Sequence, residues 1–122
     1  MPDTGKSLAN WGKREGDTAV VAIVNSTPVG AAWYRYWDDD NFILGYIDEN
    51  IPVLVIGVHR EYRPQGIGGK MVDWLIDYAS KHAIQRVSLI VSKDNYAKNL
   101  YIQQGFQLDA DEGDALTMAR II

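Results

Sequence analysis

From Thr18 the chain reads Thr-Ala-Val-Val-Ala-Ile-Val, a β-branched run that stops at Asn25-Ser-Thr-Pro28. That tetrapeptide is turn chemistry and residues 29–37 resume as a second strand, so the two runs predict a hairpin. Residues 52–58 are almost unbroken apolar sequence, the pattern of a strand covered on both faces, with Pro52 tolerated only at its start. After Gly69 the period changes. Met71, Val72, Leu75, Ile76 and Ala79 fall on one helical stripe, suited to a helix lying on a sheet. Residues 86–92 read as strand again. A short helix over residues 95–104 stops at Gly105, a natural residue just past a helix end. Residues 106–109 and 116–122 then close an antiparallel hairpin around Asp-Glu-Gly-Asp. Residues 1–17 hold Pro2, Gly5, Gly12 and Gly16 and keep no sustained period, so they are read as an irregular segment with at most one helical turn near residues 7–11. The order β-β-β-α-β-α-β-β predicts an α/β (α+β) fold. Its sheet is mixed, mostly antiparallel and twisted, with a central parallel β-α-β unit joined by a right-handed crossover.

The chain has 122 residues, the size of one domain, with no internal repeat or low-complexity linker, so residues 1–122 are read as a single unit. It has no cysteine, which excludes disulfides, thiolate metal sites and a cysteine nucleophile. No basic start followed by an apolar core marks a signal peptide, and no apolar stretch approaches the ~20 residues of a membrane span. A cytoplasmic protein without membrane association is expected. The net charge of −4 opposes general nucleic-acid binding, but the charge is uneven. Asp38, Asp39, Asp40, Asp48 and Glu49 stand together with no Lys or Arg among them, whereas Arg60, Arg63 and Lys70 face only Glu61. Either run can be a solvated loop, or they can be a cation site and an anion site. No metal is expected. His59 and His82 lack pairing distance in sequence, and the acidic run at 109–114 has Arg120 where a calcium loop needs its glutamate.

The segment Val58-His-Arg-Glu-Tyr-Arg-Pro-Gln-Gly-Ile-Gly-Gly-Lys70 joins a buried strand to a helix through glycines. Gly66, Gly68 and Gly69 lack Cβ atoms that would hold an anion off the backbone, and the N–H groups at a helix start can point at phosphate oxygens. A nucleotide P-loop is excluded because Lys70 is followed by Met71, and a dinucleotide loop because Met71 stands where its third glycine belongs. What fits is Arg-x-x-Gly-x-Gly, formed by Arg63, Gly66 and Gly68. Downstream stand Asn95, Ala97, Leu100 and Tyr101, then Gly105-Phe106. With both motifs in order, the chain resembles the GNAT superfamily of acetyl-CoA-dependent N-acetyltransferases over residues 18–122. The resemblance implies acetyl-CoA as cosubstrate and transfer of its acetyl group to an amine. It also implies that the backbone of Val58 pairs with the pantetheine amides. Arg63 and the stretch Gln65, Gly66, Ile67, Gly68, Gly69 and Lys70 would form the pyrophosphate cradle. Asn95 would be a polar contact near the thioester, and Tyr101 the general acid. A phenol of pKa ~10 suits protonation of a leaving thiolate, and without cysteine the transfer would be direct, within a ternary complex.

The sequence departs from the family in two places. Many relatives carry a glutamate as general base on the strand before the loop, and the best register puts Val53 there. His59, or Asp48 or Glu49 acting through a water, are the alternatives for that base. Relatives also begin with a strand and two helices, whereas only seventeen residues precede the hairpin here, so the expected fold lacks that front. Trp11, Trp33, Tyr34, Tyr36 and Trp37 then become candidates for an exposed aromatic surface, and a homodimer is expected to cover it. The acidic run favours a small cationic amine as acceptor. The alternative to catalysis is an acyl-CoA-binding or regulatory module with the same fold.

Overall fold

The computed structural model describes residues 16–95 and 97–122. Strands β1 (Thr18–Val24), β2 (Thr27–Arg35) and β3 (Val53–Val58) form an antiparallel meander. A 3₁₀ turn (Arg60–Gln65) leads into helix α1 (Ile67–Ser80), and β4 (Arg86–Ser92) follows. Helix α2 (Ala97–Gln103) precedes the closing hairpin of β5 (Gln107–Asp111) and β6 (Ala115–Ile121). The six strands make one sheet in the order β1-β2-β3-β4-β6-β5, in which only β3 and β4 run parallel. The predicted mixed sheet with two helices is therefore the observed one. Among the described residues no helix is long and apolar enough to cross a membrane.

The two-residue period of the strands sorts side chains to two faces. One face carries Ala32, Tyr34 and Leu54, which pack beneath Met71, Val72, Leu75, Ile76 and Ala79 of α1 together with Tyr101 and Phe106. The other face carries Trp37, Val53 and Val55, packed with Ile43 from the loop at residues 38–50 and flanked by Trp33 and Tyr46. Arg35 lies on this second face with a side chain only 1% exposed, its Nε 2.8 Å from Asp17 Oδ1 and its guanidinium 5.7 Å from the Trp37 ring centre. Such burial is tolerable for a guanidinium because its charge is paired.

Two expectations about the hairpin change. Asn25 and Ser26 alone form the turn, at φ 50° and 68°, so β2 begins at Thr27 rather than at residue 29 and ends at Arg35. The aromatic residues are also not an exposed surface: Tyr34 and Trp37 are 1% and 4% exposed, and Trp33 and Tyr36 are half-buried. Strand β2 lies inside the sheet, with α1 on one face and the loop at 38–50 on the other, so its large rings are covered from within the chain. Trp11 lies outside the described residues.

Candidate active site

The parallel pair β3–β4 is bridged at a single position, Val53 with Ser88, where the Ser88 N–H donates to Pro52 O at 3.0 Å. Beyond it the two strands part. The His59 N–H donates to Val29 O at 2.6 Å. By antiparallel alternation, residues 53, 55 and 57 therefore turn their backbone groups to β2, and 54, 56 and 58 turn theirs to the β4 side. The peptide groups of Ile56 and Val58 thus look into the opening between the strands. Arg63 closes its outer end, donating from Nε to Val58 O at 3.0 Å.

At the same end lies the glycine loop. Gly66 takes φ 75° and ψ 14°, the left-handed conformation that lets the 3₁₀ turn pass directly into α1. The first backbone bond of the helix runs from Lys70 N to Gly66 O at 3.2 Å, so the N–H groups of residues 67–69 form an open first turn. Arg63 and Lys70 are exposed beside it. The other two glycines face neighbouring elements across α1. A Cβ on Gly68 would lie 3.5 Å from Ile56 and Val58, and one on Gly69 would lie 3.6 Å from Leu100. These are ordinary contact distances, so close packing alone does not require glycine at either position.

Tyr101 sits on α2 with 6% exposure, its ring edge-on to Phe106 at 5.8 Å. Burial raises its phenol above the ordinary value of 10.0, and among the described residues its hydroxyl makes no hydrogen bond. Asn95 is exposed and its Oδ1 accepts the Ala97 N–H at 2.9 Å, capping α2. His59 is exposed and accepts the Glu61 N–H on Nδ1 at 3.3 Å, which starts the 3₁₀ turn. Val53 is buried against Trp37, so this position holds no base.

On the second face the acidic run is folded rather than loose. Asp38 Oδ1 accepts the N–H groups of Asp40 and Asn41, both at 2.9 Å, and Asp48 Oδ1 accepts that of Asn50 at 2.7 Å. The Tyr46 hydroxyl donates to Asp39 Oδ1 at 2.7 Å, a bond that pushes its pKa up to about 12. Gly45, at φ 95°, is buried where a Cβ would lie 3.1 Å from Ile90 N and 3.2 Å from Val53 Cγ1. Beside the loop lies an open cavity of about 390 Å³ lined by Tyr36, Trp37, Asp38, Asn41, Glu49 and Asn50. The sequence marked the acidic members of this set, but marked Tyr36 and Trp37 only as exposed aromatic surface and gave no sign of Asn41 and Asn50. The run at 109–114 is a hairpin turn, in which Lys93 and the Gly113 N–H hold the Asp111 carboxyl below its ordinary range.

A family model described as the acetyltransferase (GNAT) family matches residues 2–106. No protein of curated function matches the sequence. Among solved structures, the PaiA N-acetyltransferase of Thermoplasma acidophilum, in complex with coenzyme A, is similar at 19% identity and a TM-score of 0.68. That match covers 87% of this chain and 61% of that protein, so the chain spans less than two-thirds of its length. The ribosomal-protein-alanine N-acetyltransferase of Brucella melitensis is 22% identical with a TM-score of 0.73, over 89% of this chain and 71% of that one. YncA of Salmonella typhimurium, solved with acetyl-CoA, is 21% identical with a TM-score of 0.71, over 87% and 65%. At these identities the likeness is one of fold.

Proposed function

The chain belongs to the GNAT acetyltransferase family, and we propose that it moves an acetyl group from acetyl-CoA to the primary amine of a small cationic acceptor, by direct attack in a ternary complex. The observation that carries this reading is the parting of β3 from β4 beside the open first turn of α1. Peptide groups of a strand turned into a gap between strands suit the amides of a pantetheine arm. A helix start flanked by Arg63 and Lys70 suits a pyrophosphate. Val58, Arg63 and the backbone from Gln65 to Lys70 are the proposed cofactor contacts, with Asn95 contributing the amide nitrogen left over from its cap.

Tyr101 is the proposed general acid. Its buried phenol stays protonated through the physiological range and has a proton to give a leaving thiolate. The acceptor is placed in the cavity beside Trp37, where Asp38 and Glu49 attract an ammonium group and the rings of Tyr36 and Trp37 favour a cation. Of the bases considered from sequence, Glu49 is the one that lines this cavity, and we assign it that role.

Because the chain has no cysteine, free thiol released during incubation with acetyl-CoA reports turnover without background. A panel of amines should give thiol release with diamines and polyamines and little with neutral or acidic amines, with a rate that falls as salt rises. Valine at position 53 favours the second reading, a non-catalytic acyl-CoA-binding module. Coenzyme A binding by calorimetry without thiol release from any amine would establish it instead.

A further inference from the structure

Strand β1 is the sheet's edge among the described residues, and it carries no charged residue. The opposite edge is guarded: β5 bears Asp109 and Asp111, ion-paired with Arg86 and Lys93. An uncharged, seven-residue apolar edge is a template for another strand. In the register of β1 on β2, residues 18, 20 and 22 face residues 34, 32 and 30, whose backbone groups turn away from β3. The backbone groups of Ala19, Val21 and Ile23 therefore point outward from the sheet. The side chains of Val21 and Ile23 are 54% and 63% exposed.

A second apolar surface flanks the same edge. Trp74 and Tyr78 stand at i and i+4 on α1, and His82 continues the row just past its end, with Trp74 and Tyr78 stacked at 5.4 Å and 16°, and Tyr78 and His82 at 3.9 Å and 12°. On the helix wheel this row is opposite Gly69 and Asp73, the side turned to Gln104 and Leu100 of the α2 end. Helix α2 lies toward β4, so the aromatic row lies toward β1. Trp74 is 47% exposed.

We propose that β1 pairs antiparallel with β1 of a second copy about a two-fold axis through Val21, so that two sheets join and the aromatic rows of both α1 helices meet above the joint. The strand is self-complementary in this register. Val21 faces Val21 of the partner subunit, while Ala19 faces the partner's Ile23 and Ala22 faces the partner's Val20, a small side chain against a larger one each time. Ala19, Val21 and Ile23 would exchange both backbone bonds with their counterparts. The helix spacing agrees. Helix α1 packs on β1 and β2 and less on β3, so it lies somewhat more than one strand spacing from the axis, and the gap left between the two helices is one that Trp74 and Tyr78 of both copies can fill.

Sedimentation of the full chain at about 100 μM, well above the Kd of a functional homodimer, should give a species of twice the 13.7 kDa chain mass. Val21→Lys puts two ammonium groups face to face at the axis on a side chain the monomer leaves exposed. It should weaken association at least about tenfold with unchanged far-ultraviolet dichroism. Val21→Thr, neutral and β-branched, should stay dimeric. Val21→Cys, the sole cysteine of that variant, should form a disulfide-linked dimer under mild oxidation. A monomeric parent, or a dimer indifferent to Val21→Lys that does not cross-link through Val21→Cys, overturns the proposal.

Discussion

Replacing Tyr101 by phenylalanine separates chemistry from packing, because the ring and its edge-on contact with Phe106 at 5.8 Å survive and only the hydroxyl is lost. Among the described residues that hydroxyl makes no hydrogen bond, so no partner is orphaned. The unfolding free energy should therefore stay within about 1 kcal/mol of the parent in urea titrations at neutral pH. Turnover should fall by roughly 10²- to 10⁴-fold, the usual contribution of a positioned general acid, while KM for acetyl-CoA holds nearly level. Steady-state thiol release measures both quantities. The pH dependence gives a further signature. Burial raises the folded-state pKa of Tyr101 above 10.0, so the folded protein keeps a proton that the unfolded chain loses. Stability from this group is complete below pH 10 and declines as pH rises through the folded value. The phenylalanine variant lacks that decline and should gain on the parent above pH 10. Turnover equal to the parent's would refute the role of Tyr101 as acid, and a loss of turnover matched by a large loss of stability would refute the claim that its hydroxyl is free.

The three glycines of the loop should respond differently. Gly66→Ala forces a left-handed alanine and should cost about 1–2 kcal/mol in chemical denaturation, although its Cβ would meet no neighbour. Gly68→Ala should be neutral or slightly stabilising, since its Cβ makes ordinary contact and alanine favours helix. Gly68→Asp, by contrast, sets a carboxylate beside the opening and should abolish most coenzyme A binding by calorimetry. Gly45→Ala meets backbone at 3.1 Å from a left-handed position and should destabilise by about 1–3 kcal/mol, seen as a lower denaturation midpoint. In the acidic cavity, Asp38→Asn should raise KM for a diamine roughly two- to fivefold at low salt, less at high salt. Glu49→Gln should instead lower kcat, and an unchanged kcat would remove it as base.

The regular elements were legible because their periods are clean. The stripe of Met71, Val72, Leu75, Ile76 and Ala79 is the buried face of α1. Segments without a period were not. Residues 60–65 are a 3₁₀ turn built from Arg-Glu-Tyr-Arg-Pro-Gln, a string with no apolar repeat, started by a His59 cap and ended by left-handed Gly66. The hairpin was misplaced by two residues because Asn25 and Ser26 both accept positive φ, which frees Thr27 and Pro28 for the strand. Pro28 then stands opposite Ile23, next to the bulge between Ala22 and Ile23. Burial of Tyr34 and Trp37 depended on what covers each face of β2, and that is set by tertiary order rather than by local sequence. The same holds for Gly68 and Gly69, whose neighbours Ile56, Val58 and Leu100 belong to other elements.

Residues 38–50 keep their carboxylates exposed, yet the loop that carries them is held in one shape. Phe42 stacks on Tyr46 at 5.0 Å, Tyr46 grips Asp39, and the Asp38 and Asn41 backbones bond each other at 3.1 and 3.2 Å. The Tyr46 phenol, with its pKa pushed up to about 12, stays protonated at neutral pH and keeps its proton to donate. Gly45 fixes the loop from beneath, against Val53 and the Leu89–Ile90 peptide, where a Cβ would crowd both from a left-handed backbone position. Val53 is also the one residue of β3 bridged to β4, and it packs on Trp37, a wall of the cavity. A short chain of contacts therefore ties the acidic cavity to the point where the strands part. Under the proposed reaction, an ammonium group drawn in by Asp38 and Glu49 is held near the end of β3 from which the opening assigned to the pantetheine arm begins. Asp38 and Glu49, which line the cavity, thus have a use that a freely solvated loop would lack, since charges that move with their loop attract a cation without positioning it.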